Sequence, residues 1–275
     1  GHGGKAFSEY SPELHDALYL NDGTGRFKQA EGALDFPYPL STGAIGVADF
    51  DQDGLPDIVV AEAMKTNVHG LPGSCLIWRN RGDNQFELLD TEAGQDIGMI
   101  TALSTADIDG NGWVDILLAG AYMPLTVLYN EDGAFRKAVI SGTDGWWQVI
   151  ELADLDEDGD PDFILGNMGI NNFFRSGHMV FIADFDQNGT PEQIACTKRE
   201  DGHYPIQAID ELYMQMPVLK KKYRRYEAFS KAPLEALIPE ERLAEARQLH
   251  LRERRSVVLW NDNGELRLQP LPAEA

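Results

Sequence analysis

Four acidic segments of the chain share one spacing of oxygen-bearing side chains. The first, ADFDQDGLPD, begins at Ala48 and places four Asp within nine residues. The pattern returns as ADIDGNGWVD, ADLDEDGDPD and ADFDQNGTPE, which begin at Ala106, Ala153 and Ala183. Carboxylates this close repel one another, so their repetition indicates a cation that all four segments are built to hold.

The spacing is typical of a loop that wraps a hard cation. Counted from its first Asp, each segment offers side-chain oxygen at positions 1, 3, 5 and 9 and a backbone carbonyl at position 7. Gly stands at position 6, where the chain must turn sharply. Ca²⁺ takes about 6 to 8 oxygen ligands in a flexible shell, whereas Mg²⁺ keeps its waters and demands near-octahedral geometry. We therefore predict up to four Ca²⁺ sites.

The predicted ligands form four sets, named here loops 1 to 4. Loop 1 has Asp49, Asp51, Asp53, Leu55 and Asp57; loop 2 has Asp107, Asp109, Asn111, Trp113 and Asp115; loop 3 has Asp154, Asp156, Asp158, Asp160 and Asp162; loop 4 has Asp184, Asp186, Asn188, Thr190 and Glu192. Asn at position 5 leaves loops 2 and 4 with fewer acids, so we expect these two to bind more weakly.

An EF-hand and a metal-free polar turn are the two other interpretations of these loops. An EF-hand needs Glu at position 12 and flanking helices. Position 12 is instead occupied by Val60, Leu118, Leu165 and Ala195. Asp, Asn and Gly also form polar turns without any metal, which would explain one copy as well as a cation does. Four copies in one register favour the cation.

The segments around the loops predict strands. Short runs rich in Val, Ile and Leu precede and follow each loop, as in AIGVA and DIVVAEA around loop 1. A hairpin signal also recurs: an apolar strand ends in Asn, and a Gly-containing turn follows, at Leu18–Phe27, Leu76–Phe86, Val127–Phe135 and Val258–Leu266. Strand, loop, strand and hairpin make four antiparallel strands over about 45 residues, the size of one propeller blade.

The repeat is irregular at three places. Residues 7–30 resemble the last half of a blade, and the interval between loops 3 and 4 is too short for a full blade. Residues from about 205 to 255 are rich in helix formers, which predicts a helical insertion between two strands of a last blade that Val258–Leu266 completes. We predict an all-β propeller with about four to five four-stranded antiparallel blades, and we treat residues 1–275 as one propeller domain or propeller fragment.

Charge and cysteine content narrow the classes of partner. The net charge of −22 argues against nucleic acid, whose phosphates require a basic surface. The chain has no apolar run of membrane-spanning length and no signal-peptide pattern. Cys75 and Cys196 each lie in an apolar run, so we expect two separate buried thiols. We expect a monomer or a part of a longer chain, with no membrane insertion.

The loops and the LYLNDGTGRF-type hairpins resemble those of the FG-GAP/VCBS repeat proteins, the group that includes the integrin α-chain propeller. The stretches GWW at Gly145, GNMGINN at Gly166 and MPVLKKKYRRYEAF at Met216 resemble the bacterial UnbV/ASPIC-type branch. The resemblance implies calcium between the first two strands of each blade, and a secreted, periplasmic or cell-surface protein that serves adhesion or ligand recognition. It also implies a seven-bladed ring, of which this chain would form a part unless it closes as a smaller one.

Candidate ligand-binding residues lie outside the loops. Trp146 and Trp147 face opposite ways in a strand, so both fit a core, and one near a loop end would fit a sugar ring. Asn167, Asn171 and Asn172 could bind a polar ligand or cap turns, and we favour the turns. For the basic run at residues 220–225 we favour docking on the protein's own surface or a solvated helix face.

No catalytic motif accompanies these residues. The nucleophile elbow, the phosphate-binding loop and the zinc-protease motif are absent from the sequence. We predict a non-enzymatic, calcium-binding recognition, adhesion or scaffolding module of an exported protein, with a glycan or another surface protein as its partner. The alternatives are a carbohydrate lyase or hydrolase on a propeller scaffold and a purely structural domain.

Overall fold

The computed structural model describes residues 16–65, 69–89, 91–172, 174, 177–223 and 225–272, with the backbone alone at Lys222. It contains two compact units. One spans Gly169–Arg254, and the other is formed by the chain on both sides of that segment. Each unit is described by itself. None of the helices in the described ranges is long and apolar enough to cross a membrane.

The first unit begins with an isolated hairpin. Strands β1 (Tyr19–Asn21) and β2 (Phe27–Gln29) pair antiparallel as a two-stranded sheet. This is the half-blade that the sequence predicts, although the part before residue 16 lies outside the described residues. The rings of Tyr19 and Phe27 are exposed.

Two complete four-stranded blades follow. Blade 1 consists of β3 (Thr42–Ala48), β4 (Asp57–Glu62), β5 (Cys75–Asn80) and β6 (Phe86–Leu89) in that spatial order. Blade 2 consists of β7 (Met99–Ala106), β8 (Asp115–Met123), β9 (Thr126–Glu131) and β10 (Ala134–Val139). A single 3-10 turn at Glu92–Gly94 lies between them. Loop 1 joins β3 to β4, and loop 2 joins β7 to β8, as the sequence predicts.

Blade 3 starts with β11 (Gly145–Ala153) and β12 (Asp162–Asn167), which flank loop 3. After these two strands of blade 3, the chain forms the second unit. Among the residues that the structure describes, that unit has the strands β13 (His178–Ala183), β14 (Glu192–Arg199) and β15 (Gly202–Pro205), followed by five short helices and β16 (Arg247–His250). The helices are α1 (Ile209–Gln215), α2 (Leu219–Lys222), α3 (Tyr226–Ser230), α4 (Leu234–Leu237) and α5 (Glu240–Glu245).

The last hairpin returns to blade 3. Strands β17 (Val257–Asp262) and β18 (Glu265–Pro270) extend the sheet of β12, with Phe163 opposite Leu259. The prediction that this hairpin belongs to the blade of loop 4 is therefore wrong. The interval between loops 3 and 4 is too short for a full blade because the insertion that carries loop 4 interrupts blade 3 after its second strand.

The second unit contains one sheet, named here the insertion sheet, in the order β15-β14-β13-β16. Loop 4 joins β13 to β14 as in a blade, but β16 pairs on the far side of β13. One face of this sheet packs against the helices, with Phe181 and Ile194 meeting Leu212 and Leu234. The predicted helical insertion near the C-terminus is thus confirmed, and its helices lie between β15 and β16.

The core of the first unit lies between blades. The first strands lie side by side, since β3 contacts β7 and β7 contacts β11. Apolar residues such as Ile77 and Ile116 fill the space between blades 1 and 2, and Leu117 and Trp147 lie in the cluster between blades 2 and 3. Because β8 packs on both sides, every residue of it is buried. Antiparallel four-stranded sheets packed in succession define a partial β-propeller.

Local turn chemistry explains the hairpins. Asp132-Gly133 and Asn263-Gly264 are two-residue turns in which both residues have positive φ. This is the type I′ geometry, whose twist matches that of the strands it joins, and Asp-Gly and Asn-Gly are the dipeptides that favour it. The predicted hairpins at Val127–Phe135 and Val258–Leu266 therefore form through their turn residues.

Candidate metal centres

The four acidic loops fold on one hydrogen-bond frame. In each loop, Oδ2 of the position-1 Asp accepts the N–H of the position-6 Gly, at 2.9, 2.8, 3.1 and 2.8 Å in loops 1 to 4. These glycines have φ from 87° to 98°, which side chains with a Cβ rarely adopt. The oxygen at position 5 accepts the N–H of position 7, as from Leu55 to Asp53 at 2.8 Å. The repeated spacing therefore produces a repeated local structure.

The acid at position 9 closes each loop by a bond to a backbone N–H of that loop, and in loops 1 to 3 it also bonds the third strand of the blade. Asp115 Oδ2 accepts the N–H of Ile108 within loop 2, and its Oδ1 accepts the N–H of Asn130 on β9. Asp57 does the same with Phe50 and Asn80. The equivalent pairs are Leu155 and Asn261 for Asp162, and in loop 4 Glu192 accepts the N–H of Phe185.

The predicted side-chain ligands converge in every loop. Groups of three carboxylates, each offering an oxygen within 4.8 Å of the others, form in all four: Asp49, Asp51 and Asp53; Asp107, Asp109 and Asp115; Asp154, Asp156 and Asp162; Asp184, Asp186 and Glu192. Position 9 belongs to the group in loops 2 to 4, whereas in loop 1 position 5 takes its place.

The remaining predicted ligands hold the turn. The Oδ1 atoms of Asn111 and Asn188 accept the N–H of position 7, from Trp113 at 2.7 Å and Thr190 at 2.8 Å. The equivalent bond in loop 3 runs from the N–H of Asp160 to Asp158 at 2.9 Å. The backbone of position 7 is thus fixed by the side chain of position 5.

The donor set fits a cation. Asp51 Oδ1, Asp107 Oδ1 and Asp186 Oδ1 are buried and have no hydrogen-bond partner among the described residues. A buried carboxylate oxygen without a partner is costly, and a metal ion is one group that would satisfy it. All three residues belong to the convergent groups, and carboxylate oxygens are hard donors of the kind that Ca²⁺ prefers.

Burial and like charge perturb the same groups. Burial, followed by the charges of Asp109 and Asp107, raises the pKa of Asp115 to about 6 despite two backbone hydrogen bonds that oppose the shift. The pKa of Asp57 and that of Glu192 are raised for the same reasons. A divalent cation at the centre of each group would reverse the repulsion and favour the ionised carboxylates.

Charge near loops 1 and 3 differs in a way that the loop sequences do not reveal. Arg79 Nε and Arg81 Nη1 lie 3.6 and 3.5 Å from Asp51 Oδ2, so two guanidinium groups already face loop 1. Asp262, which follows the hairpin residue Asn261 as Arg81 follows Asn80, joins Asp158 and Asp160 in a further carboxylate group beside loop 3. Sequence reasoning missed both residues, although each directly follows the repeated hairpin Asn.

That hairpin Asn links neighbouring blades. Asn130 Nδ2 donates to the carbonyl of Phe50 in loop 1 at 2.9 Å, and Asn261 Nδ2 donates to the carbonyl of Ile108 in loop 2 at 2.9 Å. Both side chains are buried. The residue that marks the hairpin in sequence therefore connects each of blades 2 and 3 to the loop of the preceding blade.

The predicted ligand-binding residues outside the loops lie in different environments. Trp147 is fully buried, with Nε1 donating to the carbonyl of Thr143, so its ring does not face solvent. Trp146 is half-buried, and its ring centroid lies 5.0 Å from that of Tyr122. Asn167 Oδ1 accepts the N–H of Met168 and that of Trp146.

The other two asparagines lie in the second unit. Asn172 bonds within its own turn, donating from Nδ2 to the carbonyl of Gly169 and accepting the N–H of Phe174. Asn171 is exposed. In the basic run, the ammonium of Lys220 lies 5.7 Å from the ring centroid of Tyr213, whereas the side chain of Lys222 and all of Arg224 lie outside the described residues.

Fold and loops together define the class of protein: a partial β-propeller with repeated acidic loops between the first two strands of its blades. A family model described as the FG-GAP-like repeat matches residues 10–60 and 107–165. The chain therefore carries FG-GAP-like repeats in two stretches, which include loops 1, 2 and 3. A search of curated proteins gave no match.

Proposed function

We propose that this chain is a non-enzymatic, calcium-binding propeller module that serves recognition, adhesion or scaffolding on an exported protein. The observation that carries the calcium part is the convergence of three carboxylates in each of four loops on one hydrogen-bond frame. FG-GAP repeats are typical of extracellular, non-catalytic propellers, which supports the recognition and export parts. We also propose that this chain is related to the VCBS repeat proteins and to the bacterial UnbV/ASPIC-type branch.

The ions would act by holding each loop closed. A ligand that binds the folded state alone stabilises it by mass action, by about 2.7 kcal/mol per site at 100-fold excess over Kd. Asp107→Asn should separate binding from folding, because the amide oxygen can still accept the N–H of Gly112 while one charge is removed. Asp132→Asn, in an exposed hairpin turn outside the loops, is the charge-matched control.

Thermal melting with excess chelator and then with millimolar Ca²⁺ tests the proposal. The midpoint should rise with Ca²⁺ by about 5 °C or more for each site of that strength, given about 2–4 °C per kcal/mol in chains of this size. Asp107→Asn should reduce the increment without lowering the midpoint in chelator, and Asp132→Asn should change neither. An identical midpoint in chelator and Ca²⁺ would sink the calcium proposal.

The charges around the loops refine the expected order of affinity. Acid count alone predicts that loops 1 and 3 bind most tightly. Because Arg79 and Arg81 already face Asp51, whereas Asp262 adds a carboxylate beside loop 3, we propose that loop 3 binds more tightly than loop 1. Titration with Tb³⁺, read by luminescence, on variants that keep one loop each would measure this order.

A glycan or protein partner would bind to surfaces away from the ions. Trp146 is the half-buried member of the predicted Trp pair, and its ring, whose centroid lies 5.0 Å from that of the buried Tyr122, is of the kind that stacks on a sugar ring. A glycan array with the wild type and Trp146→Ala tests this, with Trp260→Ala as the control. Binding that Trp146→Ala abolishes and Trp260→Ala retains is the expected result. Equal binding by all three would exclude Trp146 as the contact.

A further inference from the structure

A pocket of about 400 Å³ opens at one end of the insertion sheet and is lined only by residues of the second unit. Its lining includes Lys198, Arg252, His203 and His250, and no Asp or Glu. The chain has 45 acidic residues against 23 Lys and Arg. The charged residues that line this pocket are therefore cations, although the molecule as a whole carries a net negative charge.

The strand register explains why these side chains meet. Residues directly opposite in antiparallel strands lie on the same face of a sheet. Lys198 on β14 is opposite His203 on β15, and Met179 on β13 is opposite His250 on β16. The backbone N–H of Lys198 donates to the carbonyl of Gly177, and that of Leu251 donates to the carbonyl of His178, so the first ladder continues one residue beyond β13 and the second one residue beyond β16.

Gly177, Lys198 and Arg252 all line the pocket. Gly177 directly precedes β13 and accepts the N–H of Lys198, and Arg252 lies two residues beyond the end of β16. Lys198 and His203 form one opposed pair at this end of the sheet, and Met179 and His250 form another. Because Gly177 has no side chain, the lining of the pocket has a gap beside its two cations. This gap, bounded by Gly177, Lys198 and Arg252, is called the notch below.

Backbone geometry keeps the notch open. Gly177 has a φ of 80°, and a Cβ added there would lie 3.0 Å from the Cβ of Lys198. A larger residue would therefore be strained and would crowd Lys198. Lys198 is exposed and makes no ion pair with any residue in the described ranges, so its ammonium group remains available to a ligand.

One imidazole is held in place at the edge of the notch. Glu235 Oε1 lies 2.6 Å from His203 Nδ1, and the backbone N–H of His203 also donates to this carboxylate. Burial opposes ionisation of Glu235, but the hydrogen bonds from His203 outweigh it and hold the pKa of the carboxyl below its ordinary value. Because Glu235 bonds both the Nδ1 atom and the backbone N–H of His203, the imidazole is held in one orientation at the edge of the notch.

We propose that the notch binds an oxyanion, the carboxylate, sulfate or phosphate group of a small ligand, between the side chains of Lys198 and Arg252. Charge-assisted hydrogen bonds to an oxyanion are about twice as strong as neutral ones, and two cations beside a gap suit such a group. The rest of the molecule repels anions, so specific binding here requires the local geometry. This site involves no metal and is independent of the calcium proposal.

The test is isothermal titration calorimetry of the intact chain, which measures the affinity for sulfate, phosphate and glucuronate, with glucose as the neutral probe. Lys198→Gln removes one wall of the notch at an exposed position. Lys231→Gln removes the same charge from the same unit, at an exposed residue paired with Glu227. Gly177→Ala tests the gap itself without any change of charge.

At least one anion should bind and glucose should not. Lys198→Gln should weaken binding about tenfold or more, as expected for loss of a hydrogen bond between charged groups, while Lys231→Gln should leave it unchanged. Gly177→Ala should weaken it as well. No binding by any anion, or equal losses in Lys198→Gln and Lys231→Gln, would overturn the proposal, and the anion that binds most tightly identifies the chemical source.

Discussion

The buried hairpin Asn that links two blades gives the sharpest test of how this propeller is held together. We predict that Asn130→Ala destabilises the chain far more than Asn80→Ala, although both residues occupy the same position of the repeat. Asn130 is fully buried, and its Nδ2 donates to the carbonyls of Phe50 at 2.9 Å and Val114 at 3.1 Å. Its Oδ1 accepts the N–H of Gly133 at 2.9 Å.

The magnitude follows from the groups that the substitution leaves without a partner. Removal of the Asn130 amide breaks three hydrogen bonds in a buried setting, and each net bond is worth about 0.5–1.5 kcal/mol, so the expected loss is about 3 kcal/mol. At about 2–4 °C per kcal/mol the thermal midpoint should fall by about 6–12 °C. Asn80 makes one donated and one accepted bond, to Pro56 and Gly82, near the surface and within its own blade. Asn80→Ala should therefore cost about 1 kcal/mol.

Thermal unfolding followed by circular dichroism measures both variants in the same buffer. Asn261→Ala serves as the second inter-blade case, because its side chain is buried and donates to Ile108. We predict that Asn130→Ala and Asn261→Ala lower the thermal midpoint by similar amounts, and by more than Asn80→Ala does. If Asn80→Ala lowered the midpoint as much as the other two, the stabilisation would come from the hairpin turn and not from the inter-blade bond.

Three further predictions follow from charge and burial. Burial lowers the pKa of His178 from 6.5 to about 4, so as the pH falls the unfolded chain takes up this proton before the folded chain does. The stability that neutral His178 contributes, about 3 kcal/mol, is therefore present above pH 6.5 and is lost as the pH falls toward 4. Melting curves should show that His178→Gln loses less stability than the wild type over this window. Burial raises the pKa of the Cys75 and Cys196 thiols to about 12, so neither should react with a thiol reagent in the native state and both should react in denaturant; labelling of either in the native chain would contradict this. Arg81→Gln should tighten Ca²⁺ binding at loop 1, because it removes a cation 3.5 Å from Asp51 Oδ2, and unchanged affinity in a Tb³⁺ displacement assay would show that this guanidinium does not compete.

The sequence predicted the parts of the fold that depend on neighbouring residues. The turns of loops 1 to 4 form through bonds between residues two to seven apart, such as Gly112 to Asp107 and Ile108 to Asp115. The hairpin at Asp132-Gly133 forms because these two residues favour its backbone angles. The buried state of Cys75 and Cys196 followed from their apolar surroundings and is confirmed.

Tertiary structure decided the features that join distant parts of the chain. Asn261 donates to Asp162, 99 positions earlier, which assigns the last hairpin to blade 3 and not to loop 4. Asp262 meets Asp160, and Gly177 meets Lys198, only through strand pairing. Loop spacing encodes local hydrogen bonds, so the four acidic loops follow from the sequence alone. Which strands pair depends on which apolar faces bury one another, and several pairings are compatible with the same spacing until the chain folds.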